Sequence, residues 1–446
     1  MTVAVKVRSR DTDMFAPFNA EALATSIRQA NSDILTPWRK GSLARALAAP
    51  APTNKDEDFK YVNFRLLDFS GLSPEHLRIF GNDNGISATL QTITSENSAK
   101  LPERLTLSTG DTRDNANVFF GSFENAAVML PEELAASLDF FNSHFPPRRY
   151  AHLAHAFLSQ GVYLHVCRNG SLETPRQIFT LTGGNERMTS LAGMVVLEDN
   201  ARAELVWDAL ATVDARGFQN GTLDIVLKPG SKLSLLLNQE YSEQLSSVMT
   251  LRAYLEKDSE LELVTVNSGG KLNQMEIDLR FAGEGSKATV SGVYVGHNAE
   301  NFNLLTYQDH RVGHCKSDLL YVGTLAGTSK SNYLGKITIA PDAQRSDAYQ
   351  KNRNLVLNEG VSVNSSPKLE IGANDVRCSH GSTTARVSDL EMFYLRSRGI
   401  DKGTVKMLLA DGFLRQAAER VQSLTLKQAY EQRLNALLSN WGKHDL

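Results

Sequence analysis

The chain has 446 residues, of which 41% are hydrophobic, enough to bury a large core divided among two or three structural units. Its 47 Lys and Arg residues are balanced by 50 Asp and Glu residues and neither charge forms a long block, so we expect neither nucleic acid nor an anionic membrane as a partner. Residues 1–10 lack the apolar stretch of a secretory signal, and no later run reaches the ~18 apolar residues of a membrane span; we expect a cytoplasmic protein.

The first zone, residues 1–160, is predicted to be helical around a loop-rich middle. Residues 21–30 carry apolar side chains at helical spacing. Residues 131–138 begin with a proline and two acidic residues, which suit the first turn of a helix. A third helix is expected over 148–158, before a strand-like run at 161–167.

The second zone, residues 161–387, alternates apolar and β-branched residues with polar ones, as β-strands do. A short pattern recurs within it: an apolar strand end, a corner rich in Gly, Asn, Asp or Pro, and a new alternating strand. The clearest copies are 197–205, 227–235 and 255–263, and looser copies begin at Phe281, Ile339, Leu357 and Ile371.

This recurring pattern is what a β-solenoid needs at each turn. Its spacing starts near 30 residues and later shortens to 18 and 14, so one coil contains either one corner or two. An antiparallel sandwich or meander uses the same turn residues. Periodicity alone leaves both the parallel β-helix and the sandwich open.

The third zone, residues 388–446, is predicted to be helical. Ser388 and Glu391 match a capping box, and Gly399 suits the position after a helix end. Thr425 is predicted to cap the last helix. One apolar stripe is expected from Val405, Leu408 and Leu409. Helices that follow a solenoid can cover its open end, and an apolar face left over can receive a partner.

Sequence motifs for an autonomous enzyme are missing: there is no Walker A loop, dinucleotide fingerprint, HExxH or GxSxG element. The cysteines Cys167, Cys315 and Cys378 are far apart and form no CxxC pair. Neither a disulfide framework nor a self-contained zinc or cluster site is therefore expected. Any metal chemistry would have to be shared with another subunit.

Cys378 and His380 form the sharpest candidate metal site. Two residues apart on an extended strand, they point to the same face and can share one metal ion or bridge to a partner's ligand. The alternative is a buried thiol that packs as a small hydrophobe beside a surface histidine. An unshifted thiol near pKa ~8.5 is mostly protonated, so reactivity would require positive charge from Arg377 and Arg386.

Other candidates have simpler interpretations. His310 and His314 would share a strand face if the segment is extended, with Cys315 adjacent; we favour one solvated histidine and one hydrogen-bonded in the sheet. Cys167 is predicted to lie in the core. Carboxylates for a polysaccharide-cleaving β-helix are available, although their spacing singles out no pair: Asp342, Asp347, Glu370 and Asp375.

Several segments, taken together in their order and spacing, resemble the SufB/SufD family. These segments are 334–344, 347–352, 354–357, 367–371, 375–381 and 393–400. The resemblance is strong from His310 to Phe413 and weaker at 56–61 and 148–161. The run from Cys378 to Gly381, Cys-Ser-His-Gly, is similar to the SufD-type branch, whereas SufB-type chains carry Glu-His-Glu around the matching histidine.

This resemblance implies a mainly β fold, a right-handed parallel β-helix core at 161–387 with an N-terminal helical region at 1–160 and a C-terminal helical region at 388–446. It also implies a non-catalytic scaffold subunit of the SufBCD complex for iron–sulfur cluster assembly. Such a subunit pairs with SufB through the late rungs of both β-helices. The ABC-type ATPase SufC, which supplies the ATPase activity, docks on the C-terminal helices.

The resemblance gives the candidate site a specific role. His380 first, and Cys378 second, are expected to bind a transient iron–sulfur cluster shared with SufB, with no cofactor permanently bound by this chain. Two rival functions remain. A carbohydrate-active β-helix enzyme predicts an exposed groove lined by charged residues, and a homodimeric scaffold predicts late rungs that are self-complementary across a twofold axis.

Overall fold

The computed structural model describes most of the chain. The described residues are 14–30, 34–67, 69, 72–75, 78–81, 112–115, 117–158, 160–172, 175–183 and 187–441. The opening segment 1–10 lies outside these ranges, as does most of the loop-rich middle of the first zone. Within them, every helix is too short or too polar to cross a bilayer.

The helices lie towards the two ends of the chain. They are α1 Ala20–Ala30, α2 Thr36–Ala48, α3 Phe123–Met129, α4 Pro131–His144, α5 Arg149–Ala156, α6 Asp389–Ser397, α7 Lys402–Ala418 and α8 Leu424–Trp441. Two short 3-10 turns occupy Glu57–Phe59 and Phe64–Leu66. The three helices predicted in the first zone are confirmed as α1, α4 and α5.

Strands fill the middle of the chain, and four short ones precede them. They are β1 Ser73–Glu75, β2 Arg78–Gly81, β3 Thr112–Asn115, β4 Val118–Ser122, β5 Gln160–Val166, β6 Arg176–Thr182, β7 Arg187–Leu197, β8 Arg202–Ala211, β9 Gly217–Leu227, β10 Lys232–Glu240, β11 Leu245–Leu255, β12 Glu260–Ser268, β13 Leu272–Phe281, β14 Lys287–Gly296, β15 Asn301–His310, β16 Lys316–Leu325, β17 Lys330–Ile339, β18 Asp347–Val356, β19 Ser362–Ile371 and β20 Arg377–Arg386.

From β5 onwards, each strand pairs in parallel with the strand two places further along the chain, so odd and even strands form separate sheets. We call the odd-numbered sheet, which ends at β19, sheet A, and the even-numbered sheet, which ends at β20, sheet B. The result is a β-solenoid of about 8 turns with helices at both ends. The parallel β-helix is thus confirmed, and the antiparallel sandwich is wrong.

Each turn of the solenoid contains two strands and two corners. The recurring copies at 197–205, 227–235 and 255–263 all lie at the edge where an odd strand leads into an even one. At the opposite edge, the corners 212–216 and 241–244 do not repeat that pattern, whereas the looser copy at Leu357, between β18 and β19, lies there. This explains why the sequence left one or two corners per coil undecided.

The main core lies between the two sheets. Leu233 pairs with Leu261 of the next rung of sheet B, and Leu235 pairs with Leu263. All four side chains belong to one buried apolar cluster that runs along the solenoid axis. Because side chains alternate along a strand, the intervening residues point outwards. The outer faces of both sheets are therefore available to the helices.

The N-terminal helices cover the outer face of sheet A through a buried ion pair. Arg252 of β11 donates two hydrogen bonds of 2.7 Å to Asp224, its register partner on β9. His155 of α5 lies 3.3 Å from the same carboxylate, and the guanidinium sits 5.0 Å from the ring centroid of Phe141 in α4. Rung-to-rung pairing and helix docking thus share one carboxylate.

The C-terminal helices α7 and α8 cover the outer face of sheet B. Arg433 of α8 pairs with the Asp208 carboxylate of β8, with Nε 2.7 Å from Oδ1. Glu262 of β12 accepts a hydrogen bond of 3.1 Å from the backbone N–H of Ser423. Glu204 of β8 accepts one of 3.0 Å from the Ser423 hydroxyl. The start of α8 is thereby fixed to two rungs of the sheet.

The third-zone predictions are partly correct. Ser388 accepts a hydrogen bond from the Glu391 backbone N–H, and Gly399 has a φ of 83°, so both end signals of α6 are confirmed. The cap assigned to Thr425 is wrong, because Ser423 accepts from the Leu426 backbone N–H instead. Within the predicted apolar stripe, Val405 is buried and Leu408 is exposed, so that stripe is wrong in part.

The Asp224 carboxylate should be a major stabilising group. Burial alone raises its pKa, yet Arg252 and His155 outweigh burial and hold the pKa at about 2, below the ordinary 3.8. We expect Asp224→Asn to lower stability by about 3–5 kcal/mol at pH 7, because Arg252 is left buried without a carboxylate. A depressed pKa stabilises the fold above pH 4, so the difference from wild type should shrink as pH falls towards 2.

The measurement is the urea midpoint of the two proteins over that pH range. Asp139→Asn is the matched control, because the Asp139 side chain is 78% exposed and its partner Arg45 is also exposed; such a pair contributes about 0–1 kcal/mol. Equal midpoint shifts for the two variants would contradict the role assigned to Asp224.

Candidate functional site

The last turn of the solenoid is built from β19 and β20. Among the described residues, β19 pairs only with β17 and β20 only with β18, so each stands at the edge of its sheet. An edge strand offers unpaired N–H and C=O groups to another strand. The backbone of this turn is therefore ready to continue into a further rung.

Cys378 and His380 lie on the face of β20 that points into the solenoid. Cys378 is in register with Ala348, and His380 with Gln350 of β18. Gln350 is in turn opposite Leu319 of β16, which belongs to the buried core between the sheets. The structure thus places the predicted pair on one face and directs it towards the core, at the end where the core is uncovered.

The two side chains differ in their surroundings. His380 is exposed, whereas Cys378 is half-buried. The apolar cluster against which Cys378 packs consists of Ile337, Ile339, Ala343, Ala348 and Ala373. The thiol therefore packs on one side against the protein, whereas the neighbouring imidazole is accessible to a ligand or partner from solvent.

Two columns of the solenoid interior become polar just before the solenoid ends. In the next rung of sheet B, the position of Leu319 of β16 is occupied by Gln350 of β18. The Gln350 amide N–H donates a hydrogen bond of 3.0 Å to the Gly335 carbonyl. Asn352, also buried, donates one of 3.1 Å to the Tyr294 hydroxyl. These polar columns were missed in the sequence; the only signal is polar residues at alternate positions of β18. The two polar columns lie in the same rungs as the apolar cluster on which Cys378 packs.

Burial raises the pKa of the Cys378 thiol above its ordinary value. Arg377 and Arg386, the candidates for an activating positive charge, do not offset this effect of burial on the pKa. The thiol is then mostly protonated at neutral pH. A bound metal cation would favour the thiolate and release the proton.

His310 and His314 are not brought together. His310 of β15 is fully buried, stacks on the Phe281 ring at 4.3 Å, and has Nε2 2.8 Å from the Ser317 hydroxyl. His314 lies in the next corner with a φ of 59° and is exposed. The favoured interpretation, one solvated histidine and one hydrogen-bonded in the sheet, is confirmed.

The other two cysteines play no part in the last turn. Cys315 is buried, and its thiol lies 3.4 Å from the Gly283 carbonyl. Cys167 is half-buried just after β5 rather than part of the core, so its predicted core position is wrong. Cys378 is therefore the cysteine that stands beside an exposed histidine.

Two of the carboxylates considered for polysaccharide cleavage are in ion pairs. Glu370 of β19 lies 2.8 Å from the Lys336 ammonium of β17. Asp375 lies 3.5 Å from the Arg345 guanidinium. Each pair links neighbouring rungs, which gives these carboxylates a structural use.

A second exposed surface lies on α6. Leu390, Phe393 and Tyr394 of α6 are 75%, 72% and 54% exposed, and Leu408 of the neighbouring α7 is 47% exposed. No residue of α6 is buried, and the helix contacts α7. We call these four residues the α6 apolar surface. A patch of this kind is typical of a protein–protein contact.

The sequence matches a known family over the whole of the region that carries these features. Residues 179–413 match the family model described as SUF system FeS cluster assembly, SufBD core domain. The chain belongs to the SufBD family. The SufBD core match begins within β6 and ends within α7. It includes β20 with Cys378 and His380, and all of α6.

Individual proteins are similar to between about a third and nearly all of the chain. An iron–sulfur cluster assembly SufBD family protein of Mycobacterium leprae is 31% identical over 242 residues, covering 52% of this chain and 60% of that relative. The SufD protein of Escherichia coli is 30% identical over 160 residues, 36% of this chain and 38% of the relative. The chloroplastic protein ABCI7 of Arabidopsis thaliana is 25% identical over 458 residues, 98% and 94% respectively.

His310 should make the SufBD solenoid sensitive to mild acid. Burial lowers its pKa from 6.5 to about 4, so between those values the unfolded chain binds the proton better than the folded one. Above pH 6.5 the neutral His310 imposes no penalty on folding. As pH falls from 7 to 4, the free energy of unfolding should decrease by about 3 kcal/mol because of this one group.

The test compares His310→Gln with the matched control His314→Gln by urea unfolding at several pH values. The His310 variant should lose part of the slope of stability against pH, because glutamine does not titrate. The exposed His314 variant should keep the wild-type slope. A wild-type slope in both would show that His310 is not the acid-sensitive group.

Proposed function

We propose that the protein is the SufD-type subunit of a SufBCD complex, a non-catalytic cytoplasmic scaffold for iron–sulfur cluster assembly. The observation that carries the proposal is the uncovered last turn, with Cys378 and His380 on its inward face. The relatives named SufD in Escherichia coli and Bacillus subtilis support the same branch, as does the resemblance of the Cys378–Gly381 run. The family match disfavours the carbohydrate-active enzyme.

The SufB chain is proposed to pair with the last turn. Its late rung would continue the hydrogen-bond ladders of β19 and β20 and cover the inward-facing residues that this chain leaves in solvent. Two of the columns beneath them, those of His380 and Ser382, are polar at Gln350 and Asn352. Polar or metal-bound groups of a partner therefore suit this end better than an apolar cap.

The nascent cluster is proposed to lie between the two chains. Clusters are normally held by about four ligands, and the last turn offers only the His380 imidazole and the Cys378 thiol. The remaining ligands would come from SufB. Incomplete ligation by each chain suits a cluster that is cargo to be passed on rather than a resident cofactor.

The SufC ATPase is proposed to dock on the α6 apolar surface. Behind it, α7 contacts β14 and β16, and Arg420, two residues after α7, lies 2.9 Å from Asp318 of β16. The Arg353 guanidinium of β18 donates a hydrogen bond to the Gln416 side-chain oxygen of α7. When two SufC subunits bind ATP and move together, these contacts would transmit the movement to the late rungs. The SufB-facing site would then open to iron and sulfur.

Docking on the α6 apolar surface predicts the effect of Phe393→Glu. We expect the variant, co-expressed with SufB-type and SufC-type chains, to keep its SufB partner and lose one SufC, because a charge is placed in an apolar contact. Native mass spectrometry reads the stoichiometry; the wild-type complex should contain one copy of this chain, one SufB and two SufC.

Leu424→Glu is the matched control, because Leu424 is 77% exposed and lies outside the α6 apolar surface. It should leave the stoichiometry unchanged. Recovery of the wild-type chain alone, or only as a homodimer, would overturn the proposed SufB pairing. Full SufC occupancy in the Phe393 variant would move the docking site elsewhere.

The His380 imidazole should be needed for cluster formation. We expect His380→Ala to slow cluster formation in the reconstituted complex by roughly tenfold or more, because a ligand is lost. Ser382→Ala, two residues further along the same face of β20, is the control and should keep the wild-type rate. Absorbance of the cluster measures the rate, and native mass spectrometry checks that both complexes assemble. A wild-type rate for His380→Ala would remove the central residue of the proposal.

A further inference from the structure

We propose that a divalent first-row transition metal ion binds to Glu243, His297 and Glu300 at one edge of the solenoid. The ligand atoms of these three side chains lie within 4.8 Å of one another. This site is separate from the last turn and does not depend on the proposed function.

Two corners of the solenoid supply the ligands. Glu243 lies between β10 and β11, and His297 and Glu300 lie between β14 and β15. The intervening corner contains Gly269 and Gly270, both with positive φ, and a Cβ on Gly269 would meet the Tyr241 carbonyl oxygen at 1.8 Å.

Gly269 and Gly270 carry no side chains, so the Glu243 and Asn298 side chains can meet across the gap of two rungs, about 10 Å. Its carboxylate accepts a hydrogen bond from the Asn298 side chain, next to His297. The exposed Glu243 is therefore already held at the corner that carries the other two ligands.

Glu300 is the second, independent indication of a cation. Its side chain is 1% exposed, and one carboxylate oxygen, Oε2, accepts hydrogen bonds from the backbone N–H groups of His297 and Asn298 at 3.1 and 2.7 Å. Among the described residues, the other oxygen, Oε1, has no hydrogen-bond partner, although it lies 3.1 Å from His297 Nδ1. A buried carboxylate oxygen left in this state is costly, and a cation between Oε1 and Nδ1 would satisfy it.

The donor set selects the kind of cation. One imidazole and two carboxylates suit Mn²⁺, Fe²⁺, Co²⁺ or Zn²⁺, whereas Ca²⁺ and Mg²⁺ prefer all-oxygen sites. No thiolate takes part. Glu243 is exposed and His297 half-buried, so the ion has a path from solvent, and water molecules complete its coordination.

The site is distant from the cluster ligands in the fold. The corner 297–300 follows the carboxyl end of β14, whereas Cys378 and His380 lie near the amino end of β20. In sheet B, β16 and β18 separate these two strands. A bound ion would link the β10–β11 corner to the β14–β15 corner, and so brace the middle rungs.

The test uses the untagged full chain carrying Cys378→Ser and His380→Ala, so that metal at the last turn does not contribute. Titration with Co²⁺ and with Zn²⁺ should give one equivalent bound, and the cobalt spectrum should show d–d bands without a thiolate charge-transfer band. Zn²⁺ should also raise the melting temperature of this parent.

Two added substitutions test the ligands. Glu300→Gln keeps an oxygen for the backbone N–H groups of the turn and removes the charge, and Glu243→Gln changes an exposed side chain; each should weaken binding at least tenfold and abolish the melting shift. Glu284→Gln, an exposed glutamate in another corner, should bind as the parent does. Failure of the parent to bind, or parent-like binding by both ligand variants, would overturn the site.

Discussion

Backbone hydrogen bonding between successive rungs is the constraint on which the rest of the structure depends. A rung in the middle is paired on both sides, whereas a terminal rung must be closed by something else. At the start, the chain closes its own solenoid, because β4 pairs antiparallel with β5 and β2 pairs antiparallel with β6. At the end, β19 and β20 have no such cover among the described residues. This asymmetry places the candidate site at one end only.

In-register stacking also decides what lies on the outer faces. Lys232 and Glu260 are 28 residues apart in sequence and form a 2.7 Å ion pair, because they occupy the same position in consecutive rungs. The same geometry joins Asp224 to Arg252 under the N-terminal helices. The exposed pair contributes little, whereas the buried pair is costly to break. Helix coverage, rather than pairing itself, thus determines which charges matter for stability.

Sequence patterns predicted what depends on local geometry. Turn residues revealed one edge of the solenoid, and the period of two placed Cys378 and His380 on one face. Whether that face points inwards or outwards could be decided only from the register with Ala348 and Gln350. Register is a property of the whole stack of rungs. The cap at Ser423 was missed for a related reason: Glu204 and Glu262, which fix the start of α8, lie more than 150 positions earlier. Glu243 and His297 likewise meet only through the coiling of the chain.

The change from apolar to polar side chains along the interior links the fold to the proposed role. A column that stayed apolar to the last rung would favour aggregation at the open end and would exclude water and ions from it. Instead, the column from Leu319 passes through Gln350 to His380. The Gln350 amide N–H donates a hydrogen bond to the Gly335 carbonyl, whereas the His380 imidazole is exposed. The interior thus changes from apolar to polar along this column and ends on an exposed imidazole at the uncovered end of the solenoid.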